Sequence, residues 1–241
     1  MANKIGRVPD DLCLARNGYF VTGTDTGVGK TLVCCALLYG FAASGKSVIG
    51  MKPIAAGAVD CASGLNNDDV VMLRAASNVA APQNLVNPYC FKPPIAPHLA
   101  AQQAGVQIDL ARITRAYMQL AAMADIVIVE GVGGFRVPLN SDHDAADLAI
   151  DLGLPVILVV GLRLGCLNHA LLTAQAIRAC GLTLAGWIAN RIDPAMSATE
   201  DNIAALSERL AAPLLGDIAF AVEPDARCIA AALDLSKLSS T

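Results

Sequence analysis

Short apolar runs of strand length alternate along this chain with longer stretches in which apolar positions recur at helical spacing. The runs occupy residues 19–22, 47–51, 126–129, 156–160, 184–189 and 214–219. Helical patterns between them cover about 30–43, 68–76, 110–123, 145–152, 167–179 and 197–210. This alternation predicts an α/β fold, a mainly parallel central sheet with helices on both faces. No repeat, low-complexity tract or linker interrupts it, so 19–241 reads as one domain and 1–18 as an N-terminal extension. The stretch from Asn78 to Pro97 carries five prolines and is the least regular; it is expected to be a surface excursion near a site.

Polar residues follow four of the apolar runs directly. A glycine-rich turn follows the first, Lys52 the second, Glu130 the third and Asn190 the fifth. In an open parallel sheet all strand C-termini open onto one edge, where ligands sit. Residues far apart in the chain are therefore expected to share one crevice.

The turn after the first run is the most specific signal. Thr22-Gly23-Thr24-Asp25-Thr26-Gly27-Val28-Gly29-Lys30-Thr31 lies between a strand pattern and an apolar helical run. Its glycines let backbone N–H groups close on phosphate oxygens, and the helix that follows points its positive end at them. Lys30 is placed for the β- and γ-phosphates and the Thr31 hydroxyl for Mg²⁺. The loop is a variant, because Thr24 holds the usual first glycine place and Gly23 stands one residue earlier. The motif implies a bound nucleoside triphosphate.

Composition narrows the class. Hydrophobic residues make up 55% of 241, much of it alanine, which suits helices packed on a sheet. The longest apolar run, 154–162, contains Pro155 and Gly161 and is too short to cross a bilayer. Residues 1–16 have no apolar core of signal-peptide type. A net charge of −4 favours neither nucleic acid nor an anionic membrane. Eight cysteines form no Cys-x-x-Cys pair and are expected to be reduced, buried and structural, which implies the cytoplasm. His98, His143 and His169 lie too far apart to suggest a zinc site.

Several candidates have two readings. Glu130 serves a nucleotide-bound metal or a strand-end salt bridge, and the Gly131-Val132-Gly133-Gly134 run lets backbone approach a ligand closely. Lys52 is a ligand-edge cation or a solvated lysine. Asp68 and Asp69 cap a helix or supply a metal carboxylate. The turn at 161–168 offers N–H groups to a carboxylate or merely joins strand to helix. Asn190 reads a base edge or holds a turn.

Taken together, these segments resemble the dethiobiotin synthetase family. The likeness runs from residue 19 to about 218 and rests on 22–31, Lys52-Pro53, 64–69, Val86-Asn87-Pro88-Tyr89, Pro97-His98, 129–134 and 155–161. Leu164-Gly165-Cys166-Leu167-Asn168-His169-Ala170 and Gly186-Trp187-Ile188-Ala189-Asn190 sharpen it. The resemblance implies a phosphate-loop NTPase fold and an ATP- and Mg²⁺-dependent cyclo-ligase. Such an enzyme joins carbon dioxide to 7,8-diaminononanoate and works as a homodimer. It further implies that Thr31, Asp69 and Glu130 hold the metal, with Lys30, Lys52 and Thr26 at the reacting groups. ATP would meet Gly27, Val28, Gly29, Lys30, Thr31, Leu32, Asp69, Glu130, Gly131, Val132 and Gly133. Its base would meet Asn190, Arg191, Ala219, Phe220 and Ala221. Substrate would meet Thr26, Lys52 and Ala56, and its carboxylate the backbone of Leu164, Gly165, Cys166, Leu167 and Asn168 from the other subunit.

Six positions, at four places in the chain, depart from the family pattern. Gly27 replaces a common Glu, Ala56 a Ser, Arg191 an Asp, and Ala219-Phe220-Ala221 a Pro-aromatic-Leu loop. They bear on base selectivity and substrate affinity. Two rival classes remain. A nucleotide-switched partitioning ATPase typically has an early loop lysine, and 23–28 contain none. An amidoligase of the cobyrinate type usually carries a glutaminase domain, for which 241 residues leave no room.

Overall fold

The computed structural model describes residues 17–61 and 64–238; residues 1–16, nearly all of the expected extension, lie outside the described residues. In chain order come β1 (Gly18–Gly23), α1 (Lys30–Ala43), β2 (Val48–Met51), β3 (Ile54–Ala56), β4 (Val59–Cys61), β5 (Gly64–Asn66) and α2 (Asp68–Ala76). Then follow α3 (Gln83–Val86), β6 (Tyr89–Phe91), α4 (Pro97–Gln103), α5 (Leu110–Ala121), β7 (Ile126–Gly134) and α6 (Ala145–Leu152). The last part holds β8 (Val156–Leu162), α7 (Cys166–Ala179), β9 (Leu184–Arg191), α8 (Thr199–Arg209), β10 (Leu214–Ile218) and α9 (Ala226–Ala232).

Six strands form one sheet in the order β10-β9-β8-β1-β7-β2, with every pairing parallel. The period of two in each strand sends alternate side chains to opposite faces. Phe20, Val127, Val129, Leu158 and Trp187 join the core shared with α5, α6 and α7. Tyr19, Val21, Ile128, Val159 and Ile188 join the core shared with α1. A strand buried on both faces reads as a continuous apolar run, which is why the sequence marks these strands clearly. Side-chain caps begin several helices: Asp109 accepts from Ala111 N, and Asp144 and Asp147 form a reciprocal capping box.

Strand ends differ from the sequence reading. β7 continues through Glu130 to Gly134, and β9 includes Asn190 and Arg191. Both residues are inside strands because parallel neighbours continue the ladder: Val21 pairs with Glu130, and Asn190 with both Gly161 and Ile218. Periodicity ends where side chains turn polar, whereas pairing ends where the neighbour does.

The proline-rich stretch is a surface excursion only in part, for its ends are largely exposed and its middle is buried. It contains α3 and β6, and Val86, Asn87, Pro88 and Tyr89 are buried. β6 pairs in parallel with β3, so this segment is packed against the chain just past β2. The cysteine expectation also needs correction. Cys34, Cys35 and Cys166 are buried, but Cys90 and Cys180 are half-buried and Cys61 and Cys228 exposed; none of these is in a disulfide. Cys61 lies in the exposed β4 and Cys228 in α9, none of whose residues is buried.

Candidate active site

The loop after β1 lies at the C-terminal edge of the sheet. Its close turn needs glycine at Gly23, where a Cβ would stand 2.6 Å from Val28 Cγ2 and 3.2 Å from Lys30 Cγ. Gly29 is the N-cap of α1 at φ 89°, and no side chain caps the helix there. The first N–H groups of α1 thus lack a side-chain acceptor, the arrangement that suits an anion. Lys30 is buried, and its Nζ donates to Asp25 O at 3.0 Å across the loop.

Four segments meet beside this loop. Thr31 Oγ1 donates to Glu130 Oε1 at 2.9 Å. Lys52 Nζ lies 2.5 Å from the same Oε1 and 2.8 Å from Asp69 Oδ2. Glu130 is 1% exposed and Lys52 4%. Of the two acidic residues that open α2, Asp69 reaches the cluster and Asp68 is exposed. The cap itself is Asn67, which accepts from Asp69 N at 3.1 Å and donates to Ala56 O at 3.0 Å. By taking the cap, Asn67 leaves the Asp69 carboxylate free for Lys52.

The electrostatics follow from dry packing of opposite charges. Burial pulls the Lys52 pKa down, but Glu130 and Asp69 outweigh it and hold the ammonium above the ordinary lysine range. Burial pushes Glu130 up, partly offset by Lys52. Asp69 is raised by burial but lowered more by Lys52, and ends below the usual carboxylate range. Lys30 is lowered, first by burial and then by the Lys52 charge. The Glu130 Oε2 atom is buried with no hydrogen-bond partner. Such an orphan costs free energy unless a cation or water meets it.

The remaining expected residues are spread around this cluster. Gly133 approaches the loop, with its Cβ position 3.5 Å from Thr26 Oγ1; Thr26 and Gly27 are exposed. Leu32 and Val132 are half-buried, and Gly131 is buried against Phe20. Asn190 donates to Val28 O at 2.9 Å from beneath the loop. Arg191 instead bonds Asp217 through Nε at 2.9 Å and Nη2 at 2.5 Å, and Glu200 at 2.6 Å, tying β9 to β10 and α8. Ala219, Phe220 and Ala221 follow β10 as exposed chain. In the turn from β8 to α7, Leu164 is 96% exposed and Asn168 exposed, but the Cys166 side chain is buried. The Cys166 N–H already donates to Arg163 O at 3.0 Å within the turn. Gly165 caps α7 at φ 96° with no side-chain cap bond.

Two supports carry little sequence signal. Asn87 Nδ2 donates to Lys52 O at 2.6 Å and to Tyr89 O at 2.9 Å, while Lys52 N donates to Val86 O at 2.9 Å. The buried proline-rich segment therefore braces Lys52 on both sides of its backbone. Asp25 pairs with Arg163, joining the loop to the turn before α7; the Thr26 N–H first, and then Arg163, hold its carboxyl below the usual range. Neither contact is periodic or local in sequence, so no pattern announces it. A groove of about 1030 Å³ lies at the opposite edge of the sheet, lined in part by Asn17, Tyr39, Lys46, Ile126 and Arg227, and takes no part in this cluster.

A strand leading into a glycine-rich turn and a helix opening with Lys-Thr, inside a parallel sheet, defines a phosphate-loop nucleotide-binding protein. Residues 17–223 match the family described as AAA domain. Among solved structures, the MinD cell division protein of Aquifex aeolicus is 16% identical, covers 84% of this chain and 81% of its own, and has a TM-score of 0.51. A ParA family ATPase from Chlorobium tepidum is 17% identical, covers 86% of each chain and scores 0.50. At that identity the likeness concerns the fold alone. Sequence relatives are much nearer. The ATP-dependent dethiobiotin synthetase BioD of Nitrosospira multiformis is 56% identical over 92% of this chain and 96% of its own length. The enzyme of the same name from Aromatoleum aromaticum is 57% identical over 90% of this chain and 96% of its own. The chain belongs to the dethiobiotin synthetase family.

Proposed function

We propose that this chain is an ATP-dependent ligase of biotin synthesis, converting 7,8-diaminononanoate and carbon dioxide to dethiobiotin with release of ADP and phosphate. One observation carries the reading: Lys30, Thr31, Lys52, Asp69 and Glu130, from four separate segments, meet beside the phosphate loop. The partitioning-ATPase reading rests on fold likeness at 16–17% identity, against 56–57% to the synthetases.

The residues suit Mg²⁺. Thr31 Oγ1, Asp69 and Glu130 are all-oxygen donors, as a hard cation prefers, and Glu130 Oε2 is buried and unpartnered. Among the described residues no cluster of three His, Cys, Asp or Glu could hold a metal alone, so the ion would be shared with the nucleotide. When bound, it supplies positive charge at the phosphate oxygens.

The chain's own groups do the rest. The Lys52 charge already lowers Lys30, and with Asp69 and Glu130 committed to the metal the two lysines would disfavour a further ammonium nearby, which favours a neutral, nucleophilic substrate amine. That amine adds to carbon dioxide and loses a proton, giving a carbamate anion that Lys52 stabilises. A carbamate oxygen then attacks the γ-phosphorus and ADP leaves, while Lys30 offsets the charge spreading over the phosphoryl oxygens. The second amine closes the ring on the carbamoyl carbon and expels phosphate, an intramolecular step favoured by proximity. No enzyme nucleophile is required.

Asn190, Arg191 and 219–221 are assigned to the base side. The substrate carboxylate is assigned to the backbone at 164–168, supported by the uncapped start of α7 at Gly165. We assign that turn to the partner's site in a homodimer, which accounts for the full exposure of Leu164. A cytoplasmic enzyme fits the free thiols, and among the described residues no helix is long and apolar enough to cross a membrane. We propose residues 1–16 as an extension outside the catalytic domain; Gly18 of β1 pairs with Val127 and the family match begins at residue 17, so the boundary lies two residues earlier than the sequence reading put it. Incubation with diaminononanoate, bicarbonate, ATP and Mg²⁺ should yield the cyclic urea by mass spectrometry. ATP hydrolysis that ignores the diamine would reject the assignment.

A further inference from the structure

Asn190 is assigned above to the nucleobase, but its side chain makes a different contact. Its Nδ2 donates to Val28 O at 2.9 Å, across 162 positions of sequence, and the residue is 6% exposed. β9 holds Asn190 from both sides through pairing with β8 and β10. The amide also stands close beneath Gly29, where a Cβ would come within 2.3 Å of Nδ2. A rigid strand thus presents one donor to one loop peptide, and a glycine leaves room for it.

The consequence follows from peptide planarity. The Val28 carbonyl and the Gly29 N–H belong to one trans peptide unit and point in opposite directions. Holding the carbonyl toward β9 therefore aims the Gly29 N–H away from β9. Gly29 is the N-cap of α1, so this is the peptide that leads into the helix end suited to phosphate. Val28 itself is 1% exposed, so its carbonyl would be a costly orphan without Asn190.

We propose that Asn190 is a positioning residue for the phosphate loop, fixing the Val28–Gly29 peptide so that its N–H serves the phosphates whatever base is attached. The inference rests on nucleotide binding by the loop and not on the diamine substrate, so a failed dethiobiotin assay would leave it standing.

Inorganic tripolyphosphate, which has no base, separates the two roles of this side chain. Asn190→Ala should weaken tripolyphosphate about tenfold, and ADP by at least that factor, because the base contact assigned to the same side chain is lost as well. Asn190→Asp keeps the shape but places an acceptor against the Val28 carbonyl, and should weaken both at neutral pH. Burial at this position and the facing Val28 carbonyl both raise the introduced carboxyl above the usual aspartate range, and once protonated it regains an O–H donor. Its tripolyphosphate affinity relative to the unaltered protein should therefore recover between pH 8 and about pH 5, whereas that of Asn190→Ala should not. Circular dichroism identifies the folded fraction, and if one variant fails to fold the other still decides. Tripolyphosphate binding by folded variants within twofold of the unaltered protein, with ADP alone weakened, would make Asn190 a reader of the base only and overturn the proposal. A pH-independent ratio for Asn190→Asp would overturn it as well.

Discussion

The phosphate side of the crevice and the segments proposed for the base side are built on different plans. On the phosphate side, Lys52 and Glu130 are almost wholly buried, and bonds among Thr31, Lys52, Asp69 and Glu130 join four segments. On the proposed base side Asn190 is buried, but Phe220 is 45% exposed and Arg191 is held by Asp217 and Glu200. Charge stabilisation needs groups fixed in a dry setting, because water would screen them. A base offers a flat apolar face that many surroundings can accommodate. The three-residue departure at 219–221 and the Arg191 departure fall on the tolerant side. On the stringent side Lys30, Thr31, Lys52, Asp69 and Glu130 keep the family pattern, although Gly27 in the loop departs from it.

The strongest way to break this contrast is Lys52→Gln. Turnover should fall on the order of 10³-fold or more, while ADP affinity stays within about threefold, because the ammonium acts mainly on charge that develops during reaction. Single-turnover product formation beside calorimetric ADP titration measures both, and near-normal turnover would remove Lys52 from the chemistry.

Glu130→Gln should cost somewhat less, on the order of 10²-fold in turnover. It should also weaken the Mg²⁺ dependence of nucleotide binding, read as the ratio of ADP affinities with and without the ion. An unchanged ratio would take Glu130 out of the metal set.

The pH dependence tests the coupling of the two lysines. Lys30 is lowered by burial and then by Lys52, so nucleotide affinity should fail as pH rises through a Lys30 pKa below the ordinary value of about 10.4. Lys52, held above its usual value, stays charged through that range. Removing its charge in Lys52→Gln takes away one cause of the lowering, so the alkaline limb of ADP binding should move to higher pH. A limb that moves down, or not at all, contradicts the shared electrostatics.

The smallest effect is expected on the base side. Arg191→Ala breaks a half-exposed ion-pair network worth about 1 kcal/mol at most, which corresponds to a melting shift of no more than about 4 °C. ATP turnover at saturation should remain within about twofold. A collapse of activity would show that the base side is as exacting as the phosphate side.

By itself the sequence determined the six strands of the main sheet, though not all their ends, together with the phosphate loop and the family. Doubly buried strands, a glycine turn and a following amphipathic helix are local patterns, and local patterns are what a linear reading detects. Lys52, Asp69 and Glu130 were legible as candidates because each borders an element that the sequence marks. What the tertiary structure alone decided is which contacts those residues make. The Asn67 cap left Asp69 free, residues 86–89 of the proline-rich segment were packed against the Lys52 backbone, and Asn190 was turned toward Val28. Cys61 and Cys228 were likewise left exposed by where their elements lie. Such contacts join residues from 2 to 162 positions apart, and the longer ones depend on which strands become neighbours. Sheet order is set by packing of the whole chain, so no window of sequence contains it.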